Sequence, residues 1–311
     1  MGINVLITGA NGFIGKSLSR KIIERDDVEK IVLLNRKSTK SLYQEKFDNR
    51  VTEIRLDVRY PELVQDLFTK FKPDIIYHLA GISKVSHEED LIQTNIAGTY
   101  NISFFAPEGC KIVFSSSLTV HPNFAFPVNE DSIISPESLY GVTKASSEYI
   151  LQVAHKKGRI LGRCLRLAAI TGLGSTHGVV HDFIRKLNSE SEYLEILGDE
   201  PGSTKPFVHL DDCVEAFLLA GFDYSSNTFF TANISQIDTI SVKDIARVVM
   251  ENYGIQKPVK WLGASANWFG DNPRMEASNL KMKDVGWKMK YDTSELAIAT
   301  ATLENKMNQR V

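Results

Sequence analysis

Two side chains with acid–base potential, Tyr140 and Lys144, lie four residues apart in the segment LYGVTKASSEY. On a helix this spacing places both side chains on one face. A free tyrosine titrates near pH 10, but an adjacent ammonium group favours the phenolate and lowers the pKa of the tyrosine. Ser117 lies about two dozen residues upstream, just past a strand-like run, where its hydroxyl would hydrogen-bond a substrate oxygen. These three residues predict proton transfer at that oxygen.

The Tyr-x-x-x-Lys spacing also occurs by chance. In that case Tyr140 is an ordinary interface tyrosine and Lys144 is a solvated lysine. The serine run that precedes them, Ser115 to Ser117, and the fold pattern around them favour the catalytic interpretation.

A glycine-rich segment, TGANGFIG at residues 8–15, follows the first strand-like run and leads directly into a helix-like segment. Its pattern G-x-x-G-x-x-G permits a tight turn, close approach to a pyrophosphate and close packing of helix on strand. Free N–H groups and the dipole at a helix start favour the phosphate charge. We therefore expect this turn to bind a dinucleotide through Gly9, Asn11, Gly12, Phe13, Ile14 and Gly15.

Positive charge follows the second strand-like run, in the segment LLNRKSTK at residues 33–40. A dinucleotide-binding fold usually has a carboxylate here, which holds the ribose 2′-hydroxyl of NAD. This chain has Asn35, Arg36 and Lys37 instead, and arginine recognises phosphate with paired hydrogen bonds. The pattern favours NADP(H), with Asn35 and Arg36 in the cofactor site, and leaves NAD(H) as the alternative. Arg36 and Lys37 are otherwise solvated loop cations beside Lys40.

The elements that must position these residues alternate between short apolar runs and longer amphipathic runs. This pattern is typical of βαβ units around a parallel sheet. Strand-like runs occur at residues 4–8, 30–34, 52–56, 74–79, 111–115 and 160–167, and helix-like segments at 13–24, 91–105 and 139–154. We predict an α/β fold, a Rossmann-type doubly wound parallel sheet with a smaller, mostly helical C-terminal substrate lobe. The dinucleotide-binding domain is placed at residues 1–167 and the substrate lobe at 168–311, with about 207–234 returning to the main sheet.

The order and spacing of these segments resemble an extended short-chain dehydrogenase/reductase of the NAD-dependent epimerase/dehydratase family, whose members mostly act on nucleotide sugars. The resemblance covers nearly the whole chain and also includes RLDVR, HLAG, TNIAGTYN, YGVTK and PFVHLDD. It implies a cofactor site that includes Asp57, Val58, Leu79, Ala80, Gly81 and Asn95, with Asp57 and Val58 beside the adenine. It also implies hydride transfer between nicotinamide and a carbinol carbon. Tyr140 would then move the proton, Ser117 would bind the reacting oxygen, and Lys144 would hold the nicotinamide ribose.

Several positions depart from the patterns of that family. Its sugar 4,6-dehydratases carry an Asp-Glu pair where this chain has Leu118 and Thr119, and neither side chain can shuttle a proton to a sugar carbon. Dehydration is therefore not expected. Many 4-epimerases continue with Val-Tyr-Gly, whereas this chain has Val-His-Pro, so His121 either replaces a substrate-pocket tyrosine or is a loop histidine.

The nucleotide side of the substrate site also differs. A family arginine that pairs with the substrate phosphate is replaced by Lys205 or a neighbour, and an amide side chain is replaced by Ala169. A lysine supplies a point charge for phosphate without a bidentate fork. We expect Lys205 and His121 to contact the substrate, and we expect these changes to weaken the nucleotide-sugar assignment more than the oxidoreductase assignment.

The basic loop bears on the reaction. An epimerase recycles its cofactor within one active site, whereas a net reductase draws on the NADPH pool. The leading hypothesis is an NADPH-dependent ketoreductase acting on a nucleotide-linked keto-sugar. The alternative is a nucleotide-sugar 4-epimerase with tightly bound NAD(P). A third hypothesis is a catalytically idle, cofactor-bound scaffold or redox sensor, against which the set of Ser117, Tyr140 and Lys144 argues.

The composition of the chain limits the classes of partner that can be expected. The chain has 311 residues and a formal net charge of -2, so nothing global favours nucleic acid or an anionic membrane as partner. No apolar run approaches the roughly 18 residues of a membrane span, and no signal-peptide pattern precedes the first strand-like run. We expect a cytoplasmic protein.

The remaining reactive side chains favour no further chemistry. The cysteines, Cys110, Cys164 and Cys213, are far apart in sequence and are predicted to be reduced thiols. The histidines His177, His181 and His209 lack a metal-binding spacing with acidic residues, so no metal site is predicted. The family resemblance implies a homodimer through the helix that carries Tyr140 and the segment at residues 91–105.

Overall fold

The structure, a computed structural model, describes residues 2–37, 48–83, 87–122, 127–263 and 274–308. The strands are β1 (Ile3–Thr8), β2 (Val28–Asn35), β3 (Val51–Arg55), β4 (Ile75–His78), β5 (Cys110–Ser117), β6 (Ile160–Leu167), β7 (Ala169–Thr171), β8 (Leu194–Ile196), β9 (Thr204–Lys205), β10 (Phe207–His209), β11 (Phe230–Ile234), β12 (Ile240–Ser241) and β13 (Val259–Trp261). The helices are α1 (Phe13–Ile23), α2 (Pro61–Lys70), α3 (Glu88–Leu91), α4 (Gly98–Phe105), α5 (Leu139–Lys156), α6 (Val179–Leu187), α7 (Leu210–Leu218), α8 (Val242–Tyr253), α9 (Leu280–Asp284) and α10 (Ser294–Asn308). A π-helical segment, Ile92–Ala97, joins α3 to α4, and a short 3₁₀ turn, Leu118–Val120, follows β5.

Seven strands form the main sheet in the order β11-β6-β5-β4-β1-β2-β3. β1 pairs in parallel with both β2 and β4, and Leu6 lies opposite Val32 on one side and Ile76 on the other. These residues are buried because both faces of a parallel sheet are covered, which explains the continuous apolar runs in the sequence. The predicted α/β Rossmann-type fold is confirmed. The strand order reverses between β1 and β4, and ligands bind at the carboxyl ends of strands at such a point.

The chain divides into two compact units. The first contains residues 1–120, 134–166 and 214–232, and its core packs around Leu6, Ile76 and Ile112. The second contains residues 121–133, 167–213 and 233–311, and its core lies around α6, α8 and β8.

Part of the segment expected to return to the main sheet does so. β11 lies in the seven-stranded sheet beside β6, whereas β10 pairs in parallel with β7 in a separate two-stranded sheet. The domain limits at residues 1–167 and 168–311 stay a prediction. Within the part of the chain that the structure describes, no helix is both long and apolar enough to cross a membrane.

Candidate active site

Ser117, Tyr140 and Lys144 lie in the first unit, on β5 and α5. Ser117 is the last residue of β5. α5 begins after Ser138, whose hydroxyl accepts a hydrogen bond from the backbone N–H of Gly141 at 3.1 Å. This N-cap starts the helix so that Tyr140 lies in its first turn and Lys144 lies one turn later on the same face.

Ser117 is oriented by Thr119. The sequence pattern gave Thr119 no role, because it stands where dehydratases carry an acidic residue. The hydroxyl of Thr119 donates to Ser117 Oγ at 2.9 Å, and its backbone N–H donates to the same oxygen at 3.2 Å. Because both acceptor positions of Ser117 Oγ are used, its own proton is left to donate. The signal was present in the sequence as two hydroxyl residues spaced i, i+2 at a strand end, a spacing that supports local side-chain hydrogen bonds.

Lys144 is buried, with 4% of its surface exposed. Its Nζ donates to the backbone carbonyl of Ser115 at 2.7 Å and lies 4.7 Å from the ring centroid of Phe114. Burial lowers the pKa of Lys144 to about 8, and the negative charge of Glu148 acts in the opposite direction. The amine is therefore poised to change protonation state near neutral pH.

The pKa of Tyr140 is raised to about 12 by burial, although a hydrogen bond with Ser117 favours the phenolate. The expectation that Lys144 lowers this pKa into the neutral range was wrong for this structure. The ammonium points at the carbonyl of Ser115 and lies 5.7 Å from the ring centroid of Tyr140, so desolvation of the phenolate dominates. Tyr140 is a protonated phenol at neutral pH, which can donate a proton.

The glycine turn between β1 and α1 fits a pyrophosphate. Gly9 has φ +67°, and a Cβ there would lie 2.9 Å from the backbone of Leu79 and Ala80. A Cβ at Gly15 would lie 2.3 Å from the carbonyl oxygen of Gly9. α1 begins at Phe13 after Gly12 with no side-chain cap and no acidic residue in its first turn. Its first N–H groups and its dipole are thus available to an anion.

Asn11 lies in the same turn, whereas Ile14 lies in the first turn of α1. The N–H of Asn11 donates to Asn35 Oδ1 at 2.7 Å. Asn35 ends β2, so this bond ties the glycine turn to the start of the basic loop. Contact of these residues with a cofactor stays a prediction. Arg36 and Lys37 follow Asn35 and are exposed, whereas Lys40 lies outside the described residues.

Asp57 is held by Arg59 and not left open. Nε of Arg59 donates to both carboxylate oxygens of Asp57, at 3.1 and 3.0 Å, and Nη2 bonds one of them at 2.8 Å. Burial by itself raises the pKa of Asp57, but the bonds from Arg59 outweigh it and hold that pKa below its usual value. Val58 is buried, and its carbonyl accepts from Asn101 at 2.9 Å.

The HLAG segment is anchored by His78, to which the sequence analysis gave no role. Burial lowers the pKa of His78 to about 3, so the ring is neutral. Thr99 uses its proton on the carbonyl of Asn95, so it accepts from His78 Nε2 at 3.0 Å. His78 Nδ1 then accepts from Thr8 at 2.8 Å, and Thr8 in turn accepts from the N–H of Ala80 at 3.0 Å. This chain of hydrogen bonds joins the end of β1 to α4.

Asn95 connects the HLAG segment to α5. Its side chain bonds both the N–H and the carbonyl of Ile82 at 2.9 Å and the hydroxyl of Thr143 at 2.9 Å. Gly81 lies beside it, where a Cβ would be 3.3 Å from Asn95 Oδ1 and from Lys144 Nζ. The structure therefore brings the predicted cofactor segment next to Lys144. Direct contact of Asn95 with a cofactor stays a prediction.

The two predicted substrate residues lie in the second unit. His121 is buried, and its Nδ1 bonds the carbonyl of Ile133 at 2.8 Å, which fixes the ring within its own loop. Lys205 is partly buried in β9, where it lies opposite Ile240 of β12. Their contact with substrate is not tested by these observations.

One group of metal-ligating side chains comes together among the described residues. His209, Asp211 and Glu304 each offer an atom within 4.8 Å of the others. The N–H of Asp211 donates to His209 Nδ1 at 3.2 Å, so the proton of a neutral ring is on Nε2, which bonds Glu304 at 3.2 Å. A metal ion bound to Nε2 would require the ring proton to be on Nδ1. Nδ1 would then have no lone pair to accept the hydrogen bond from the N–H of Asp211. The hydrogen bonds fit a structural histidine better, and the absence of a metal site stays a prediction.

The chain is similar in sequence to known proteins. Residues 5–228 match the model of the NAD dependent epimerase/dehydratase family. A dTDP-glucose 4,6-dehydratase of Haemophilus influenzae is 31% identical over 175 residues, which are 50% of this chain and 52% of that relative. A dTDP-4-dehydro-6-deoxyglucose reductase of Escherichia coli is 26% identical over 261 residues, 79% of this chain and 80% of the relative.

The fold is also similar to that of solved structures. A UDP-glucuronic acid 4-epimerase from Bacillus cereus, solved with UDP-glucuronic acid and NAD, superposes with a TM-score of 0.86 over 99% of this chain and 100% of that chain. The sequence identity is 22%, so the likeness concerns the fold. The chain spans about half the length of the dehydratase relative and most of the reductase relative.

Proposed function

Because the chain belongs to the NAD-dependent epimerase/dehydratase family, we propose that it is an NADPH-dependent ketoreductase that acts on a nucleotide-linked keto-sugar. The observation that carries this proposal is the arrangement of Ser117, Tyr140 and Lys144, in which Tyr140 is protonated at neutral pH. A bound nicotinamide cofactor would supply the hydride. The residues of this chain supply the proton and the donors around the substrate oxygen.

Tyr140 acts as the proton donor in this proposal. When a keto group is reduced, its oxygen becomes an alkoxide that must take up one proton, and a buried phenol is suited to give it. In this structure the one proton of Ser117 bonds Tyr140. With substrate bound, Ser117 would donate that proton to the same oxygen, because Thr119 occupies both of its acceptor positions. Lys144, charged below about pH 8, stabilises the phenolate that remains on Tyr140.

The cofactor preference rests on the end of β2. Asn35 stands where a carboxylate would hold the ribose 2′-hydroxyl of NAD, and it is bonded to Asn11. The carboxylate of Asp57, which follows β3, is bound by Arg59. Arg36 and Lys37 are exposed and can meet the additional phosphate of NADP. The cofactor residues in the proposal are Gly9, Asn11, Gly12, Phe13, Ile14, Gly15, Asn35, Arg36, Asp57, Val58, Leu79, Ala80, Gly81, Asn95, Tyr140 and Lys144.

Dehydration does not fit the residues after Ser117. Leu118 is buried and apolar, and the hydroxyl of Thr119 is used on Ser117. Elimination of water from a sugar needs an acid and a base. The side chains of Leu118 and Thr119 can serve as neither.

A nucleotide-sugar 4-epimerase is the second candidate, because Ser117, Tyr140 and Lys144 can serve both directions of hydride transfer. The observation in its favour is the pKa of Lys144, about 8, which lets the same residues pass between protonation states near neutral pH. A keto-sugar mixed with the protein and NADPH separates the candidates. A reductase consumes NADPH in proportion to product, whereas an epimerase interconverts sugars with no net consumption.

Partner and location belong to the same proposal. We infer a homodimer that uses α4 and α5, because their exposed side chains include Tyr100, Phe104, Tyr149 and Val153. We infer a cytoplasmic location, which the buried free thiols of the three cysteines support. His121 and Lys205 are proposed as substrate contacts.

The cofactor preference is tested by the dissociation constants of NADPH and NADH, measured by titration calorimetry with wild type and Arg36→Ala. We expect NADPH to bind at least about tenfold more tightly, because charge-assisted hydrogen bonds contribute roughly 1.5–3 kcal/mol. Arg36→Ala should lose most of that preference. Lys30→Ala, which removes an exposed cation elsewhere on β2, should keep it. Equal binding of the two cofactors by wild type would rule out the 2′-phosphate site and move the epimerase to first place.

A further inference from the structure

A buried ion pair lies behind the catalytic residues. Glu148 follows Lys144 by four residues on α5, so Tyr140, Lys144 and Glu148 share one helix face. Arg166 of β6 bonds both carboxylate oxygens of Glu148, with Nε at 3.0 Å from Oε1 and Nη2 at 2.8 Å from Oε2. The side chains of Arg166 and Glu148 are only 4% and 5% exposed. The carboxylate is therefore ionised and held in one orientation.

The same carboxylate also bonds β5. Ser116 Oγ donates to Glu148 Oε1 at 2.5 Å. Consecutive residues of β5 thus each bond a different side chain of α5. The pairs are Ser115 with Lys144, Ser116 with Glu148 and Ser117 with Tyr140. Glu148 therefore joins β5 to α5 through Ser116. Unlike Tyr140 and Lys144, it has no role at the substrate in the proposed reaction.

The charge of Glu148 acts on Lys144. The titratable or charged groups around Lys144 come from α5 (Tyr140 and Glu148), β4 (His78) and β6 (Cys164 and Arg166). His78 is neutral, and burial holds the pKa of Cys164 well above its usual value, so that thiol is neutral as well. Among these groups Glu148 carries the negative charge, and Arg166 is bonded to it. Burial alone favours the neutral amine at Lys144.

We propose that Glu148 is a positioning residue of the active site, whose buried carboxylate keeps the Lys144 ammonium charged and fixed against β5. Arg166 pairs with the carboxylate from β6, and Ser116 bonds it from β5. The inference rests on the proposed function only where it treats Lys144 as catalytic. Its first test uses protein without cofactor or substrate, so a failure of the proposed ketoreductase activity does not affect that test.

The test is the titration of Lys144, followed by NMR of isotopically labelled lysine ε-carbons and assigned by the signal that Lys144→Met lacks. In wild type we expect a pKa of about 8. In Glu148→Gln we expect a value lower by about one pH unit or more, because a nearby opposite charge shifts a pKa by that amount. In the active protein, the loss of kcat/KM at alkaline pH should move to lower pH by the same amount, since Lys144 acts in its protonated form.

Two further variants keep the test decisive. Glu148→Gln together with Arg166→Gln leaves no buried arginine without its carboxylate, so it serves if the single variant fails to fold, and it should also lower the pKa of Lys144. Arg166→Lys disturbs the same ion pair but keeps both charges, so the pKa of Lys144 should stay within a few tenths of a unit. An unchanged pKa in the variants that lack the carboxylate overturns the proposal. An equal downward shift in Arg166→Lys also overturns it, because the effect would then come from packing and not from charge.

Discussion

Lys144 shows how the proposed catalytic role of a residue opposes its contribution to stability. Its amine is buried beside the ring of Phe114 and bonded to the carbonyl of Ser115. Burial lowers the pKa of Lys144 from its ordinary value of 10.5 to about 8. A base with a lowered pKa in the folded state makes folding less favourable wherever the unfolded chain holds the proton more tightly. The site therefore keeps a charge that the core disfavours, as active sites often do.

Lys144→Met is expected to raise the free energy of unfolding at pH 7, on the order of 1–3 kcal/mol, while it abolishes activity. Below about pH 8 the lysine is charged in both states, so the penalty is fully present in wild type. The penalty falls as pH rises from about 8 towards 10.5, so the gain of the variant over wild type should shrink over that window. Urea unfolding at pH 7 and near pH 9.5 measures both effects.

Lys156→Met is the matched control, because Lys156 is an exposed residue of the same helix. Its free energy of unfolding should change by less than about 0.5 kcal/mol at either pH. A Lys144→Met protein that is less stable than wild type at pH 7 would contradict the prediction. That result would mean that the bond to Ser115 outweighs the cost of burying the charge.

His78 joins elements that are distant in sequence. Through Thr8 it reaches the end of β1, and through Thr99 it reaches α4 and the carbonyl of Asn95. Each donor in this series of hydrogen bonds has one acceptor only if the ring of His78 is neutral with its proton on Nε2. The register of the glycine turn, the HLAG segment and α4 therefore depends on one protonation state of one imidazole.

We expect this dependence to make stability fall with pH below about 6.5. The pKa of His78 is lowered to about 3 by burial, whereas the unfolded chain has the ordinary value of 6.5. As pH falls through 6.5, the unfolded state binds a proton at His78 that the folded state does not bind. The free energy of unfolding therefore falls by up to about 1.4 kcal/mol per pH unit. His78→Gln should be less stable near pH 7, with a slope between pH 6.5 and 4.5 shallower by about 1 kcal/mol per unit.

Urea unfolding over this pH range measures the slope, and His177→Asn is the control. His177 is exposed, so its replacement should leave the wild-type slope in place. If His78→Gln and wild type lose stability in parallel, other groups cause the acid lability and the neutral ring is not required.

In the molecule as a whole, a set of apolar side chains of the first unit is exposed. It consists of exposed side chains on α4, α5 and the π-helical segment, namely Tyr100, Phe104, Val142, Tyr149, Val153 and Ile92. The rings of Tyr100 and Phe104 stack at 5.4 Å. Contiguous exposed apolar residues mark contact surfaces, and a symmetric dimer lets one patch cover its own copy.

The proposed homodimer predicts that Tyr149→Glu together with Val153→Glu yields a monomer. Two charges in an apolar interface would each lose solvation without a partner, so association should weaken by at least about a hundredfold. Light scattering coupled to gel filtration measures the mass. Leu280→Glu, at an exposed apolar residue of the second unit, should keep the wild-type mass. A wild-type protein that runs as a monomer at micromolar concentration would remove this surface from the proposal.

Features that depend on local order along the chain could be predicted from the amino-acid sequence. The strand–glycine turn–helix unit, the spacing of Tyr140 and Lys144, and the basic residues after β2 are all set by neighbours within a few residues. Alternation of apolar runs was enough to predict the doubly wound sheet, because a buried parallel strand must be apolar on both faces. Family resemblance then assigned roles to these residues.

Features that depend on burial and on contacts between distant segments required the three-dimensional structure. Glu148 meets Ser116 and Arg166, and His78 meets Thr8 and Thr99, across separations that no spacing pattern reveals. The pKa of Tyr140 was expected to fall and is raised instead, because desolvation outweighs the neighbouring lysine. A titration depends on the surroundings of a group in space, and the sequence lists only its neighbours along the chain.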